Sequence, residues 1–363
     1  MDWYTIDCTK IDTPALFIDR DSVTLNIQKA IDIARNIDRL RPHVKTHKSI
    51  EVAKLQLAAG IQKFKCATIA EAEMLARAGA KDVLIAYQPQ GPKINRVKNL
   101  VLKYPKTKFS ILIDNDITAR QIQQVFVDTV INYYFDVNDG HFRTGIKPQN
   151  CLDLFENIKE FTALRLVGVH CYDGHIRMPD LDERIQEATS AFMPVRILYD
   201  QLSKITRRKL KIVAGGSPSF PVHARFHDVE CSPGTFIFWD ERYATNYPEL
   251  NFQKAAAVAT RVISQTDHYT YCLDLGHKRI ASEFSMPRVK LITSAVYKQI
   301  GHSEEHMIIK TKKPDVFEVG QVLFGIPYHI CPTVALYDHL IVVEEGEVVD
   351  RWEVTARDRS IGV

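Results

Sequence analysis

The chain has 363 residues, 45% hydrophobic and 25% charged, with 47 lysines and arginines against 44 acids and a formal charge of +3. That length exceeds one ordinary domain and fits two, or a barrel with an appended domain. Charge this nearly balanced argues against nucleic-acid binding, which uses a markedly basic domain, and an RNA-binding barrel is disfavoured on the same ground.

The opening MDWYTIDCTKIDTPALF carries acids and lysine where a secretory signal has an unbroken apolar core. No apolar run is long enough to span a bilayer, so no membrane partner is expected. The seven cysteines (Cys8, Cys66, Cys151, Cys171, Cys231, Cys272 and Cys331) are odd in number, spread out and without a CxxC pair. They read as reduced thiols, and a cytoplasmic setting is expected.

In chain order, short apolar runs predict strands at ALFI (15–18), LRPHV (40–44), KFKCAT (63–68), DVLIAY (82–87), FSILID (109–114), INYYFDV (131–137), LRLVGVHCY (164–172) and KLKIVAG (209–215). Between them, IEVAKLQLAAG and TIAEAEMLARAGA space apolar residues three and four apart and run into glycine, the pattern of amphipathic helices. About eight such strand–helix units predict an α/β fold with a parallel sheet, closed as a (β/α)8 barrel. An open doubly wound sheet is the alternative, but no GxGxxG opens a helix. From about residue 255 the pattern changes to short β-branched strands (AAAVATRVISQ, YTYCLDLG, MIIKT, VFEVGQVLFG, HLIVVEEGEVVDRWEV), a C-terminal β domain built as a sandwich or small barrel. The expected division is a barrel over 13–245 and a β domain over 246–363, which residues 1–12 can join.

Barrels of this kind carry their chemistry at the C-terminal ends of the strands. Four unusual polar segments fall there: Lys45 after LRPHV, NDGHFRTG (138–145) after INYYFDV, CYDGHIR (171–177) after LRLVGVH, and AGGSPS (214–219) after KLKIV. In the last, Gly215 and Gly216 let backbone N–H groups approach a phosphate, and Ser217 or Ser219 adds a hydroxyl. The same letters also make a tight turn with no ligand. RPHVKTHKS (41–49) crowds three cationic residues and two histidines together. A lysine at a buried strand end beside a phosphate cradle points to a Schiff base with pyridoxal phosphate. Its amine must be deprotonated, and desolvation with Arg41 and a charged His43 nearby would lower its pKa. Lys45 and Lys48 read equally as surface lysines on the first turn of a helix. In the β domain, YHICPT sets His329 and Cys331 two apart; on a strand they face one side and can share a cation, with positions left for water and substrate. The pair also reads as a core cysteine beside a satisfied histidine. SEEHMII (303–309) reads as a turn with a solvated face.

Taken in order, TPALFID (13–19), RPHVKTHKS, ATIAEAEML, NDGHFRTG, CYDGH, AGGSPSF, SPGTFIFWD (232–240), SEEHM and PYHICPTVALYD extend along nearly the whole chain. In these the sequence resembles the D-threonine aldolase / D-serine dehydratase family, fold-type III pyridoxal phosphate enzymes that join an alanine-racemase-type barrel to a β domain. The resemblance implies that Lys45 forms the Schiff base and that Gly215, Gly216 and Ser217 are the phosphate loop. It implies that Arg143 and Tyr172 contact the cofactor ring or its hydroxyl, that His329 and Cys331 hold a divalent metal, and that His175 is an acid/base group. A thiolate in the metal pair favours zinc over manganese or magnesium. A D-amino acid with a β-hydroxyl is the implied substrate and a homodimer the implied assembly. Asn138 stands where relatives often have Asp, Pro218 removes an N–H from the phosphate loop, and Met307 follows EEH where Gly is usual.

Two reactions stay open. An aldolase breaks Cα–Cβ to give glycine and an aldehyde; a dehydratase of D-serine or D-3-hydroxyaspartate gives a 2-oxo acid and ammonia. In relatives the aldolases tend to carry His-x-Asp and the dehydratases His-x-Cys, so Cys331 points to dehydration. PTVALYD and YDGH look like the aldolase branch, which is the reading preferred. A racemase leaves the metal pair without a role, and a cofactor carrier without turnover does not need the β domain that bears it.

Overall fold

The computed structural model describes residues 3–363. Contacts divide the chain into two compact units, one of residues 28–45, 52–234 and 358–363, the other of residues 1–27, 46–51 and 235–357. The strands in chain order are β1 (Ala15–Asp19), β2 (Lys63–Cys66), β3 (Asp82–Ile85), β4 (Lys108–Ile113), β5 (Ile131–Val137), β6 (Leu164–Cys171), β7 (Lys211–Ala214), β8 (Val229–Cys231), β9 (Ala256–Asp267), β10 (Thr270–Leu273), β11 (Val289–Leu291), β12 (Tyr297–His302), β13 (Met307–Thr311), β14 (Val322–Pro327), β15 (His339–Glu344) and β16 (Glu347–Glu353).

In the first unit β2 to β8 form one parallel sheet in sequence order. Residues 40–44 close it. Arg41 N–H donates to Cys231 O at 2.9 Å beyond one edge, while Val44 N–H donates to Lys65 O at 2.9 Å and Lys65 N–H to Pro42 O at 2.8 Å beyond the other. Eight extended segments therefore ring one interior, the closed barrel expected. The connecting helices start and stop where the sequence signals it. Thr68 Oγ1 accepts the Glu71 N–H at 3.1 Å, the Glu71 carboxylate accepts the Ala67 N–H at 2.6 Å, and the helix Ile69–Ala78 ends on Gly79 at φ +96°.

One of the eight expected barrel strands is elsewhere. ALFI, within β1, is buried along its whole length and pairs antiparallel with β9 and parallel with β15. Its place in the barrel is taken by β8, three residues long and too short to stand out as a run. A strand buried on both faces reads the same in a parallel barrel and a mixed sheet, because composition reports burial and not partner.

The second unit is one nine-stranded mixed sheet with the order β12-β13-β10-β9-β1-β15-β16, in which β14 pairs with both β9 and β11. The twelve residues of β9 let it serve β1 and β14 along its first half and β10 along its second. Its apolar cluster gathers Trp3, Phe17, Phe324 and Ile326 on small residues Ala257 and Ala259, with Phe17 and Phe324 edge to face at 5.2 Å. The SEEHM segment is the hairpin turn between β12 and β13, as expected, with Glu304 paired to Lys278 on the surface. Among the described residues none of the seven cysteines is joined in a disulfide. Among the described residues no helix is long and apolar enough to cross a membrane.

Candidate active site

Because β2 to β8 are parallel, the segments after β5, β6 and β7 and the residue after the closing segment emerge at one rim. Lys45 emerges there half-buried. Its backbone N–H donates to His43 Nδ1 at 3.2 Å, so that nitrogen carries no proton, contrary to the charged His43 expected. Arg41 is no neighbour cation either. It is fully buried lower in the barrel, with Nε 2.7 Å from Glu230 and Nη1 2.8 Å from Asp82. Burial works against its charge, but Glu230 and Asp82 hold the guanidinium firmly protonated.

The cation beside Lys45 is Lys65, on β2. Its Nζ lies 5.5 Å from the centroid of the Tyr172 ring, against 5.7 Å for Lys45 Nζ and 5.0 Å for the Arg143 guanidinium. Three basic side chains around one ring repel each other if all are charged in a low-dielectric site, so one gives up its proton unless an anion sits among them. Burial first, then Lys45, pulls the Lys65 amine down to about 7. His175, exposed, stacks on His141 at 5.8 Å and touches the face of Gly140, where a Cβ would lie 3.0 Å from its Nε2.

The AGGSPS turn is built tightly enough to need its glycines. Gly215 sits at φ +82°, where a Cβ would meet His223 Cδ2 at 2.5 Å, and a Cβ on Gly216 would meet the Tyr172 ring at 3.0 Å. Ser219 Oγ accepts the Gly216 N–H at 3.2 Å and donates to Asp173 at 2.8 Å, and Asp173 also holds His223 Nε2 at 2.7 Å. Burial alone would raise the Asp173 carboxyl, but His223 and Ser219 bring it below the ordinary carboxylate value. Ser217 Oγ accepts the Gly234 N–H at 3.2 Å. A bare glycine surface against the Tyr172 ring, with Lys45, Lys65 and Arg143 around that ring, fits a flat anionic molecule such as pyridoxal phosphate.

Polar groups that the motifs did not single out line the barrel beneath. His170 Nδ1 lies 2.8 Å from Asp136, whose other oxygen accepts from Gln88 at 2.7 Å, while His170 Nε2 is buried with no hydrogen-bond partner. In the loop after β5, Asp139 is pushed up to about 7 by burial and by the nearby Asp173. Lys65, Asp136 and His170 each interrupt an apolar strand run at a position whose neighbours face the helices. That alternation was the available signal, since a polar residue facing a barrel interior has to be paired or used.

The second unit holds His329 and Cys331, and not on a strand. β14 stops at Pro327, His329 is the extended residue before the short helix Ile330–Val334, and Cys331 lies in that helix's first turn. The two side chains still meet, because the helix turns Cys331 back toward the residue before it. Burial works against charge on His329, but Cys331 and Glu283 outweigh it and bring the imidazole up to about 9. Glu283 bonds Nδ1 of His329, the carboxylate–imidazole arrangement that leaves Nε2 for an ion. Thr46 Oγ1 and Thr235 Oγ1 lie 3.1 and 3.5 Å from Cys331 Sγ. Asp240, raised to about 6 chiefly by burial, accepts the Ile330 N–H at 3.2 Å. Among the described residues no three His, Cys, Asp or Glu side chains are grouped to hold a metal. The pair offers two ligands and an orienting carboxylate, a donor set that fits an open site.

The family of the alanine racemase N-terminal domain matches residues 18–241, and the putative serine dehydratase domain matches residues 255–343. The chain belongs to the D-threonine aldolase / D-serine dehydratase family. Its members are pyridoxal phosphate-dependent lyases of fold type III, and this chain is one of them. It is 27% identical over 361 residues to the D-threonine aldolase of an Arthrobacter species, covering 97% of this chain and 94% of that one. The crystal structure of D-threonine aldolase from Filomicrobium marinum superposes with a TM-score of 0.89 at 28% identity, covering 97% of each chain. D-threo-3-hydroxyaspartate dehydratase from Delftia sp. HT23 aligns by sequence at 47% identity over 94% of this chain and 97% of that one. Superposed, the same dehydratase gives a TM-score of 0.79 and 22% identity over 96% and 99% of the two chains. By TM-score the fold superposes more closely on the aldolase, 0.89 against 0.79.

Proposed function

We propose that this lyase cleaves D-β-hydroxy amino acids by a retro-aldol reaction, D-threonine to glycine and acetaldehyde being the type case. The observation that carries the reading is the rim on which Lys45, Arg143 and Tyr172 converge beside Gly215 and Gly216, on a fold that superposes best, of the two reactions compared, on an aldolase. Bound there, pyridoxal phosphate supplies an electron sink for a bond broken at the substrate's Cα. Lys45 would hold the cofactor, and its amine would return a proton to the substrate's Cα once the Cα–Cβ bond has opened. Arg143 and Tyr172 would orient the ring, the glycines would admit the phosphate to backbone N–H groups, and His175 would take the proton of the substrate's β-hydroxyl as the Cα–Cβ bond opens to the aldehyde. His329 and Cys331 would hold a divalent ion, zinc by ligand type, and such an ion would supply Lewis-acid polarisation of an oxygen.

A second reading, dehydration of D-serine or D-3-hydroxyaspartate, is favoured by Cys331, a thiolate in the metal pair. One experiment separates them. The purified protein is given D-threonine with pyridoxal phosphate and a divalent metal, and the products are identified by mass spectrometry. Glycine with acetaldehyde supports the aldolase; 2-oxobutanoate with ammonia replaces it by the dehydratase. The reading includes a homodimer, which sedimentation of the holoenzyme checks.

A further inference from the structure

We propose that Lys65 is a proton-holding residue of the cofactor cradle, its amine neutral while no anion is bound and taking up a proton when the anionic cofactor binds. The proposal rests on the reading of the rim as that cradle. Lys65 is only 2% exposed, and its Nζ has one partner, the hydroxyl of Ser232, which in turn donates to Gly215 O at 2.9 Å. An ammonium there has three N–H donors for that one acceptor, whereas a neutral amine has two and a lone pair; an unmatched charged donor is the costlier state to bury. Among the described residues no carboxylate forms an ion pair with it.

The groups facing Lys65 pull both ways, and burial decides the balance. From the closing segment Lys45 opposes its charge; Asp136 from β5, Cys171 from the end of β6 and Asp173 from the loop after it favour it. Asp136 is already engaged by His170 and Gln88, and Asp173 by His223 and Ser219. Arg143 stands at the same Tyr172 ring, and the His170 imidazole is itself pulled below its ordinary value by burial, against its bond with Asp136. The result is an amine that titrates at about 7 rather than at its ordinary value. A phosphate monoester brings a charge of about −1.5 to −2 near neutral pH. Placed among these cations, it shifts the balance toward ammonium, and by linkage the affinity for the anion then depends on the proton taken up. Asp139, also near 7, is the competing proton acceptor in this site.

The test is calorimetric titration of the full chain, stripped of cofactor, with pyridoxamine 5′-phosphate, whose amine cannot condense with Lys45. Running it in two buffers of different ionisation enthalpy counts the protons taken up. At about pH 8 the wild type should take up more protons than Lys65→Met, by a large fraction of one per chain, and near pH 6 the difference should vanish because Lys65 is then already charged. Lys65→Arg, always protonated, should bind without that uptake, and it decides the matter alone if Lys65→Met does not fold. Asp139→Asn should keep the wild-type uptake. Uptake unchanged in both Lys65 variants, or lost in Asp139→Asn, overturns the proposal. A wild type that does not bind pyridoxamine phosphate at all overturns the cradle reading itself.

Discussion

Asp173 and His223 form a buried pair, Oδ2 to Nε2 at 2.7 Å, directly behind Gly215. The pair is a wall: it fixes how close the backbone at 215 stands to β6 and why no side chain fits there.

Gly215→Ala should therefore fail twice, once on φ and once on the 2.5 Å approach to His223. The expected loss is about 1–3 kcal/mol of stability and at least about tenfold in cofactor affinity. Thermal unfolding and a fluorescence titration with pyridoxal phosphate read the two effects separately.

Lys45→Ala should lose about 10²–10⁴-fold in turnover. After borohydride reduction, peptide mapping should find the cofactor fixed to Lys45 in the wild type and no modified peptide at that position in the variant. Cofactor fixed elsewhere in the wild type would remove Lys45 from its role.

The Glu283 carboxylate orients His329 without being assigned as a ligand itself. Glu283→Gln should weaken binding of the metal by about 10–100-fold, while Cys331→Ala should abolish it. Metal content by mass spectrometry after dialysis against a graded chelator distinguishes the two; equal retention in all three proteins would rule out the pair as the metal site.

His47 is fully buried in the second unit and accepts the Ser49 N–H on Nδ1; burial pulls it down to about 3. Its folded pKa lies below its unfolded value of 6.5, so between those limits the unfolded chain binds more protons and stability falls as pH falls. From 6.5 down to about pH 5 this group alone should cost about 2 kcal/mol. Urea unfolding at the two pH values, with His47→Asn flattening the difference, checks the sign and the source.

Arg41→Met strands Glu230 and Asp82 in the barrel, leaving them Lys63 and Lys211 on the partly exposed side. Breaking one side of a buried ion pair costs about 3–5 kcal/mol, and Glu230→Gln added to it should recover part. A single-variant loss under about 1 kcal/mol would show the network to be loosely held.

Much of this protein is legible in its sequence. The seven recognised barrel segments, the helices between them and the change to a β domain follow from periodicity, which depends only on local geometry and burial. The rim positions of Lys45, Arg143, Tyr172 and the 215–217 turn follow from one rule, that parallel strands deliver their following residues to one end. What the letters alone did not carry was partnership. Only the folded chain sends ALFI into the mixed sheet, turns His329 and Cys331 together around a helix start instead of along a strand, and points Arg41 at Glu230. For the same reason the cation beside Lys45 is Lys65, twenty residues on: neighbours in sequence alternate faces on a strand, while residues on adjacent parallel strands share one. Local pattern determines which elements form and which face is buried; who stands opposite whom is set by register and packing between distant segments, and the chemistry of the site is made of those meetings.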